Sequence, residues 1–242
     1  VTKSIAHMGN TLNKLPLVAL PSGYLDAPLV LALSGGMDSV ALLCALVQQK
    51  PAALRAIHVH HGLQVQADAW AQFCVELCSA WHVPLHIERV QIQKIDKQQQ
   101  GLEAAARTAR YQIFAAHLRE GEVLVTAHHQ NDQAETVLLQ LLRGTGMAGL
   151  SGMPVLQSFG IGQHWRPLLH TTRDTIQAYA RGQQLRWVED PSNDDTHYQR
   201  NFLRHEVLPL LRSRYPAVDA QIAKTAHFAA LAHTAIETQA QQ

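Results

Sequence analysis

The stretch Leu31-Ala32-Leu33-Ser34-Gly35-Gly36-Met37-Asp38-Ser39-Val40 decides the fold, because it joins a buried strand to a buried helix. The apolar run 29–33 predicts a strand covered on both faces, and the run 40–48 predicts a buried helix. The first backbone N–H groups of such a helix lack partners and lie at the positive end of its dipole. The turn at 34–39 therefore predicts an anion site, most naturally for phosphate.

The residue types in the 34–39 turn favour a nucleotide as the anion. Gly35 and Gly36 allow a sharp turn and a close approach to a ligand, and Ser34 and Ser39 add hydroxyl donors. Asp38 would repel a phosphate unless a divalent cation lay between them, which favours Mg²⁺. The alternative is that Asp38 or Ser39 simply caps the helix. The turn is neither a Walker loop nor a Rossmann fingerprint, since neither motif is present.

Composition limits the size of the fold and its partners. The 242 residues suffice for one sizeable α/β domain with a small second part. A net charge of +1 means that any RNA contact needs a local basic patch. Cys44, Cys74 and Cys78 are expected to be buried free thiols, as in a reducing cytosol. With no signal peptide or membrane-spanning run, the sequence predicts a cytoplasmic protein without membrane contact.

Strands alternate with helices along the chain, which predicts a doubly wound α/β fold with a mainly parallel sheet and helices on both faces. Further strands are expected at 54–59, 85–92, 122–127 and 165–169, with an edge strand at 185–188. The chain is divided into an N-terminal extension (1–27), the α/β domain (28–215) and a helical segment (216–242). That last segment is expected to form an isolated closing helix, which could begin a further C-terminal domain.

Two helices carry predicted core faces, since their apolar residues recur at spacings of three and four. The helix from Asp68 has Trp70, Phe73, Cys74, Leu77, Cys78 and Trp81 on one face. The helix after Asn131 has Ala134, Val137, Leu138, Leu141 and Leu142. We interpret the aromatic residues of the first helix as core and not as a platform for stacking bases.

Three turns are expected at one edge of the sheet, because ligands bind outside the carboxyl ends of parallel strands. They are the 34–39 turn, residues 58–62 and residues 128–132. The histidines of the last two turns suit either packing on a nucleotide base or binding a metal. No His-Glu-x-x-His sequence is present, so nucleotide packing is favoured over zinc.

Charged helix faces supply the remaining candidates. Asp132 and Glu135 lie three apart on the first turn of a helix, where the dipole alone favours acids. Asp132 is also expected to face the pocket of Asp38, where two acids suit Mg²⁺ and a positively charged amine, whereas Glu135 stays undecided. Arg200 and Arg204 form a basic face, which is either solvated or in contact with RNA phosphates.

The Ser-Gly-Gly-Met-Asp-Ser sequence of the 34–39 turn resembles the PP-loop of the N-type ATP pyrophosphatases. In that family the loop grips the pyrophosphate that leaves when ATP is cut between its α and β phosphorus atoms. Later motifs resemble those of the tRNA(Ile)-lysidine synthetases within this superfamily. They are His58–Leu63, Thr126–His129 with Asp132 and Glu135–Thr136, Arg143–Gly144, Arg166–Leu169, and Glu189–Asn193 followed by Arg200–Asn201.

The resemblance implies an enzyme that converts the wobble cytidine of tRNA(Ile) with a CAU anticodon into lysidine, using ATP, Mg²⁺ and free lysine. The implied ATP contacts are Ser34, Gly35, Gly36, Met37, Asp38, Ser39 and His61. Asp38 and Asp132 would hold Mg²⁺, and the implied tRNA contacts are Arg200, Asn201 and Arg204. The implied catalytic residues are Asp38, Asp132, Glu135, Arg107 and Arg143. Asp132 is the first candidate for the base that deprotonates lysine, and Glu135 the second.

Other functions stay open at the level of sequence. Another PP-loop enzyme, for tRNA thiolation or small-molecule amidation, would keep the ATP chemistry, although thiolating members usually need paired cysteines. A metal-dependent hydrolase would use the histidines but not the 34–39 turn. A tRNA-binding module without catalysis would suit a more basic chain. The sequence is compatible with a homodimer and does not decide the oligomeric state.

Overall fold

A six-stranded sheet organises the molecule. The computed structural model describes residues 14–20, 26–60, 62, 65–90 and 102–240, without the side chains of 102–106. Its strands are β1 (Leu29–Ala32), β2 (Leu54–His60), β3 (Leu85–Arg89), β4 (Val123–Val125), β5 (Leu156–Phe159) and β6 (Gly162–Trp165). They lie in the order β3-β2-β1-β4-β6-β5, and only β5 runs antiparallel to its neighbour. The predicted mainly parallel α/β sheet is confirmed.

Helices connect the strands and continue to the end of the described chain. They are α1 (Met37–Gln49), α2 (Ala67–Ala80), α3 (Leu102–His117), α4 (Gln130–Leu142), α5 (Met147–Leu150), α6 (Arg173–Gly182), α7 (Gln199–Phe202), α8 (Leu208–Arg214) and α9 (Val218–Ala240). A π-helical turn at Leu203–Val207 joins α7 to α8. None of the described helices is both long and apolar enough to span a bilayer.

The sheet is covered on both faces, as predicted, because alternate residues of each strand point to opposite sides. Leu29 and Leu31 of β1 belong to one core cluster, which includes the buried face of α1. Val30, between them, packs with Phe114 and Leu118 at the other face, where α3 lies. A strand buried on both sides explains why residues 29–33 are almost wholly apolar.

The second half of the sheet differs from the prediction, because β5 and β6 form a hairpin that was not expected. A strand was expected at 165–169, but β6 ends at Trp165 and pairs with β5, which the sequence analysis missed. Gly160, with a φ of 55°, lies in the tight turn between them, where a positive φ suits a two-residue hairpin loop. The edge strand expected at 185–188 is also wrong. That segment is irregular, and the Val188 N–H donates to the Gly35 carbonyl at 3.0 Å.

Two packing predictions also need correction. Leu141 and Leu142 are 57% and 72% exposed, so the core face of α4 ends before them. The closing helix α9 is not isolated, because it packs against α4 and α5. The Asn131 side chain donates to Asp219 of α9 at 3.2 Å. From the assigned N-terminal extension, the described residues 14–20 lie against β6, where the Trp165 indole donates to the Val18 carbonyl at 3.1 Å.

Candidate active site

The 34–39 turn joins the end of β1 to the start of α1, as the sequence predicts. The Ser34 and Ser39 hydroxyls lie 3.1 Å apart, and the Gly36 N–H donates to the Ser34 oxygen at 3.2 Å. The N-cap of α1 is Gly36, and no side chain caps the helix. The capping alternative for Asp38 and Ser39 is therefore wrong, and the N–H groups at the helix start have the arrangement that favours an anion.

The turn needs glycine at position 35 for a reason that differs in part from the expected approach of a ligand. Its φ of 87° confirms that the turn needs a residue that tolerates the left-handed region. The space beside its Cα, however, is filled by protein: a Cβ there would lie 3.0 Å from Val188 and 3.2 Å from the Cys74 sulfur. Close approach at Gly35 thus seats the turn against α2 and the segment 185–188.

The turn after β4 delivers Asp132 to the same place. The His129 side chain caps α4 by accepting from the Asp132 N–H at 3.3 Å, and the Asp132 carboxylate accepts from the His129 N–H at 3.0 Å. This reciprocal cap fixes both side chains. Because His129 Nδ1 accepts, its ring proton lies on Nε2. That atom lies 3.7 Å from Asp38 and 3.4 Å from Asp132, so His129 bridges the two acids.

The two acids of the site have opposite electrostatic environments. Burial raises the pKa of Asp38, and the nearby negative charge of Asp132 adds to this, while His129 opposes it. Burial also disfavours the charged form of Asp132, but the adjacent His129 ring and the positive charges of Arg200 and Arg204 hold its pKa below the ordinary value. Asp132 is therefore a stable anion, and Asp38 is a carboxylate in need of a positive partner.

Asp38 fits a divalent cation, and Asp132 does so less well. The Oδ1 atom of Asp38 is buried and has no hydrogen-bond partner, which is a costly arrangement unless a ligand supplies one. Asp132 Oδ1 already accepts from Arg200 at 3.0 Å and from Arg204 at 3.1 Å. Carboxylate oxygens suit Mg²⁺ shared with phosphates, so the structure offers Asp38 as the main protein ligand.

Arg200 and Arg204 form ion pairs with two acids of α4, Asp132 and Glu135. The Nε atoms of Arg200 and Arg204 each donate to Glu135 at 2.6 Å, and both arginines also bond to Asp132. Glu135 is 1% exposed, so this is a buried network of two acids and two arginines. The arginines come from α7 and from the π-helical turn, a feature that is frequent at functional sites.

The other residues predicted for the site are Arg107, Arg143, Asn201 and His61. Arg107 stacks on Tyr111, with its guanidinium carbon 5.0 Å from the ring centroid. Arg143 follows the C-terminus of α4, about 16 Å along the helix axis from Asp132 at 1.5 Å per residue. The Asn201 side chain donates to the Ser192 and Asp195 carbonyls at 2.9 Å each and so fastens the turn 189–195. His61 lies outside the described residues.

A cavity of about 670 Å³ opens between the three turns. Ser34, Gly36, Met37, Asp38, Ser39, Asp132 and Arg204 line it, which confirms that the turns meet at one edge of the sheet. Trp70 also lines it, so the interpretation of this residue as core is wrong. Arg110, Tyr111 and Arg173 belong to the wall as well and were missed. Their helices carry no motif at those positions, and only the direction of each helix brings them to the cavity.

The described histidines of the predicted turns line the cavity and also make contacts within the protein. His58 Nδ1 lies 2.9 Å from the Leu33 carbonyl, and burial lowers the pKa of His58. His60 Nε2 lies 3.2 Å from Asp68. Within the part of the chain that the structure describes, these rings do not gather into a group that could hold a metal ion.

A chain of hydrogen bonds behind the cavity fixes two more histidines in the neutral state. Arg166 donates to His164 Nδ1 at 3.0 Å, so the ring proton lies on Nε2 and points to Thr126 at 2.8 Å. The Thr126 hydroxyl in turn donates to His128 at 2.7 Å. Burial, together with the charge of Arg166, lowers the pKa of His164 to about 3.

Acidification is expected to destabilise the folded protein through His164. Between pH 6.5 and 3 only the unfolded chain binds a proton at this residue, so wild-type stability rises with pH by up to about 1.4 kcal/mol per unit. His164→Gln should remove one proton's share of this slope, as measured by denaturant unfolding at several pH values. His170→Gln, at an exposed position, is the control. A slope that is unchanged in His164→Gln would contradict the assignment.

Sequence comparison places these features in a known family. Residues 10–211 match the family described as the PP-loop domain. The chain is 49% identical over 197 residues to a tRNA(Ile)-lysidine synthase of Haemophilus ducreyi, covering 81% of this chain and 45% of that protein. It is 48% identical over 217 residues to one of Xanthomonas axonopodis, covering 88% and 48%. The chain thus spans less than half the length of these curated relatives.

Comparison with solved structures supports the fold. A U34-tRNA thiolase from Methanococcus maripaludis, solved with its [4Fe-4S] cluster, aligns with a TM-score of 0.68 at 17% identity, covering 86% of this chain and 74% of that one. An NMN synthetase from Francisella tularensis aligns with a TM-score of 0.52 at 12% identity, covering 86% and 88%. At these identities the likeness concerns the arrangement of the sheet and helices.

Proposed function

The chain belongs to the PP-loop domain family, and we propose that it attaches lysine to C2 of the wobble cytidine of tRNA(Ile), using ATP, to give lysidine. The observation that carries the proposal is the meeting of the 34–39 turn with Asp132 of α4 in one cavity. The first provides for ATP and the second for an amine substrate. The chain is 49% and 48% identical to two lysidine synthases, which supports the same reaction.

In the first step, the C2 oxygen of cytidine attacks the α-phosphorus of ATP and pyrophosphate leaves. The N–H groups at the start of α1 and the hydroxyls of Ser34 and Ser39 are placed to stabilise the charge that develops on the pyrophosphate. Asp38 would hold Mg²⁺, because its Oδ1 atom lacks a protein partner. When bound, Mg²⁺ neutralises charge on the phosphate oxygens.

In the second step, the uncharged ε-amine of lysine attacks C2 of the adenylated base and AMP leaves. Asp132, on the wall of the cavity, offers a carboxylate that suits the incoming ammonium group. The amine must lose a proton, and Asp132 remains our candidate for the base. Its pKa is held low by its cationic neighbours, so its role requires that substrate phosphates draw an arginine away from it.

The cavity has the size and the aromatic surface for a nucleotide and an unstacked base. Its volume of about 670 Å³ lies in the range usual for ligand sites. Trp70 and Tyr111 are on its wall, and single-stranded bases are commonly bound by stacking on such rings. We place the enzyme in the cytoplasm, where ATP, lysine and tRNA are together.

Contact with tRNA phosphates is proposed for Arg204, which lines the cavity and is 28% exposed. Arg204→Gln should lower the slope of log K against log salt for tRNA binding by about one, because one phosphate contact is lost. Arg181→Gln, at an exposed position on α6, is the control and should leave the slope unchanged. An unchanged slope in Arg204→Gln would leave this arginine with only its role beside Glu135.

Thiolation, the main alternative, is disfavoured by the cysteines. Burial, with a contribution from Cys78, raises the pKa of Cys74 to about 12, and burial raises that of Cys78 to about 11. Cys44 is buried as well, and its pKa is also raised by burial. Thiols of this kind are poor nucleophiles and poor metal ligands, since both roles need the thiolate.

Incorporation of labelled lysine into a tRNA(Ile) transcript with a CAU anticodon tests the proposal. We expect incorporation that requires ATP and Mg²⁺ and is lost when the wobble cytidine is changed. Release of pyrophosphate that depends on tRNA, without incorporation, would support the adenylation step and contradict the role of lysine. If neither occurs while ATP binds, the proposed reaction is wrong for this chain.

A further inference from the structure

Three potential metal ligands that do not line the cavity come together. His86 and Glu88 lie two apart on β3, so their side chains share one face of the edge strand. His117 is the last residue of α3 and lies beside them. Glu88 Oε2 is 3.0 Å from His86 Nε2 and 3.2 Å from His117 Nε2. Among the described residues, this is the group of histidine, cysteine and acidic side chains with the spacing of a metal site.

The spacing of the ligand atoms matches tetrahedral zinc. Ligand atoms about 2.0–2.2 Å from a tetrahedral ion lie about 3.3 Å from one another. The Glu88 oxygen is already 3.0 Å and 3.2 Å from the two nitrogens, and the candidate ligand atoms all lie within 4.8 Å of one another. Binding therefore needs small side-chain movements and the loss of the Nε2 protons.

The surroundings leave room for an ion. The side chains of His86, Glu88 and His117 are 45%, 37% and 33% exposed, so an ion can enter and keep a water molecule as fourth ligand. Arg55 donates to the His117 carbonyl at 2.7 Å, and its charge is compensated by an ion pair with Glu122 at 2.6 Å.

We propose that His86, Glu88 and His117 form a Zn²⁺ site that ties the end of α3 to the edge strand β3. Two imidazoles and one carboxylate favour zinc and similar transition metals over Mg²⁺, which prefers oxygen ligands. The site joins two elements that are consecutive among those described and fixes the edge strand from outside. It is separate from the ATP chemistry of the cavity and does not depend on the proposed reaction.

Zinc titration of the metal-free protein, with Mg²⁺ in excess, tests the site. We expect one Zn²⁺ bound per chain by calorimetry and a melting temperature that rises with zinc concentration. His86→Ala, Glu88→Gln and His117→Ala should each weaken binding by at least about tenfold, the effect of losing even outer-shell partners of a metal. Each should also abolish the rise in melting temperature.

The matched control is His233→Ala on α9. His233 forms a pair with Glu237 at 3.3 Å but belongs to no group of three ligands among the described residues. This variant should bind zinc as the wild type does. His86 and Glu88 are on the surface of an edge strand, so their variants keep the test sound if His117→Ala fails to fold. Unchanged zinc affinity in His86→Ala and Glu88→Gln, or an equal loss in His233→Ala, would overturn the proposal.

Discussion

Asp38→Asn is expected to abolish tRNA-dependent pyrophosphate release without loss of stability. The substitution keeps the shape of the side chain and removes the charge that would hold Mg²⁺ against the phosphates. Loss of one positioned electrostatic group at a reacting centre usually lowers the rate by about 10²–10³-fold. We therefore expect at least about a hundredfold loss, with tRNA binding retained.

Asp38→Asn should not lower stability although it lowers activity, because the folded protein accommodates the charged Asp38 side chain poorly. Its Oδ1 atom lacks a partner, and burial raises its pKa above the ordinary value. Above that raised pKa, the folded state must hold an unfavourable charge that asparagine lacks. Asp38→Asn should thus be as stable as the wild type or more so at pH 7, and the difference should vanish below about pH 4.

Two measurements on the same preparation separate these effects: pyrophosphate release and denaturant unfolding. Asp174→Asn, an exposed acid in the first turn of α6, should change neither. A variant Asp38→Asn with wild-type turnover would contradict the Mg²⁺ role. A variant that unfolds more easily than the wild type at pH 7 would contradict the environment described for Asp38.

The sequence predicted the parts of the fold that local patterns determine. The apolar run 29–33, the turn at 34–39 and the spacing within α1 each reflect contacts made within a few residues, and all were found in place. The same holds for Asp132, whose position after β4 directs it to the edge where Asp38 lies. Parallel strands have few ways to be arranged once their connecting helices are known.

The sequence could not predict contacts between distant segments. Val188 was assigned to an edge strand at 185–188, but it packs on Gly35. The pairing of Arg200 and Arg204 with Glu135 spans 65 and 69 residues, and the spacing of the arginines alone is equally typical of a solvated helix face. Only the packing of α7 against α4 distinguishes the buried ion pairs from a solvated helix face.

Glu135→Gln is expected to give the largest loss of stability among the site variants. Glu135 is 1% exposed, and its two oxygens accept from Arg200 and Arg204 at 2.6 Å. Removing one partner of a buried ion pair typically costs about 3–5 kcal/mol, because the opposite charges remain buried without compensation. For a chain of this size the melting temperature should fall by on the order of 10 °C. Glu237→Gln, in an exposed pair, should change the free energy of unfolding by less than about 0.5 kcal/mol.

A double-mutant cycle between Glu135→Gln and Arg204→Gln decides whether the loss arises from this pair. The double variant should be less destabilised than the sum of the single variants, with a coupling of about 0.5–3 kcal/mol, since the second substitution removes a charge that the first left unpaired. Additive losses would mean that Glu135 acts on packing alone. A large coupling would mean that the same arginine proposed to contact tRNA phosphates also balances the acids of α4. Binding of tRNA would then have to compete with an internal ion pair, which links substrate binding directly to the charge available for lysine.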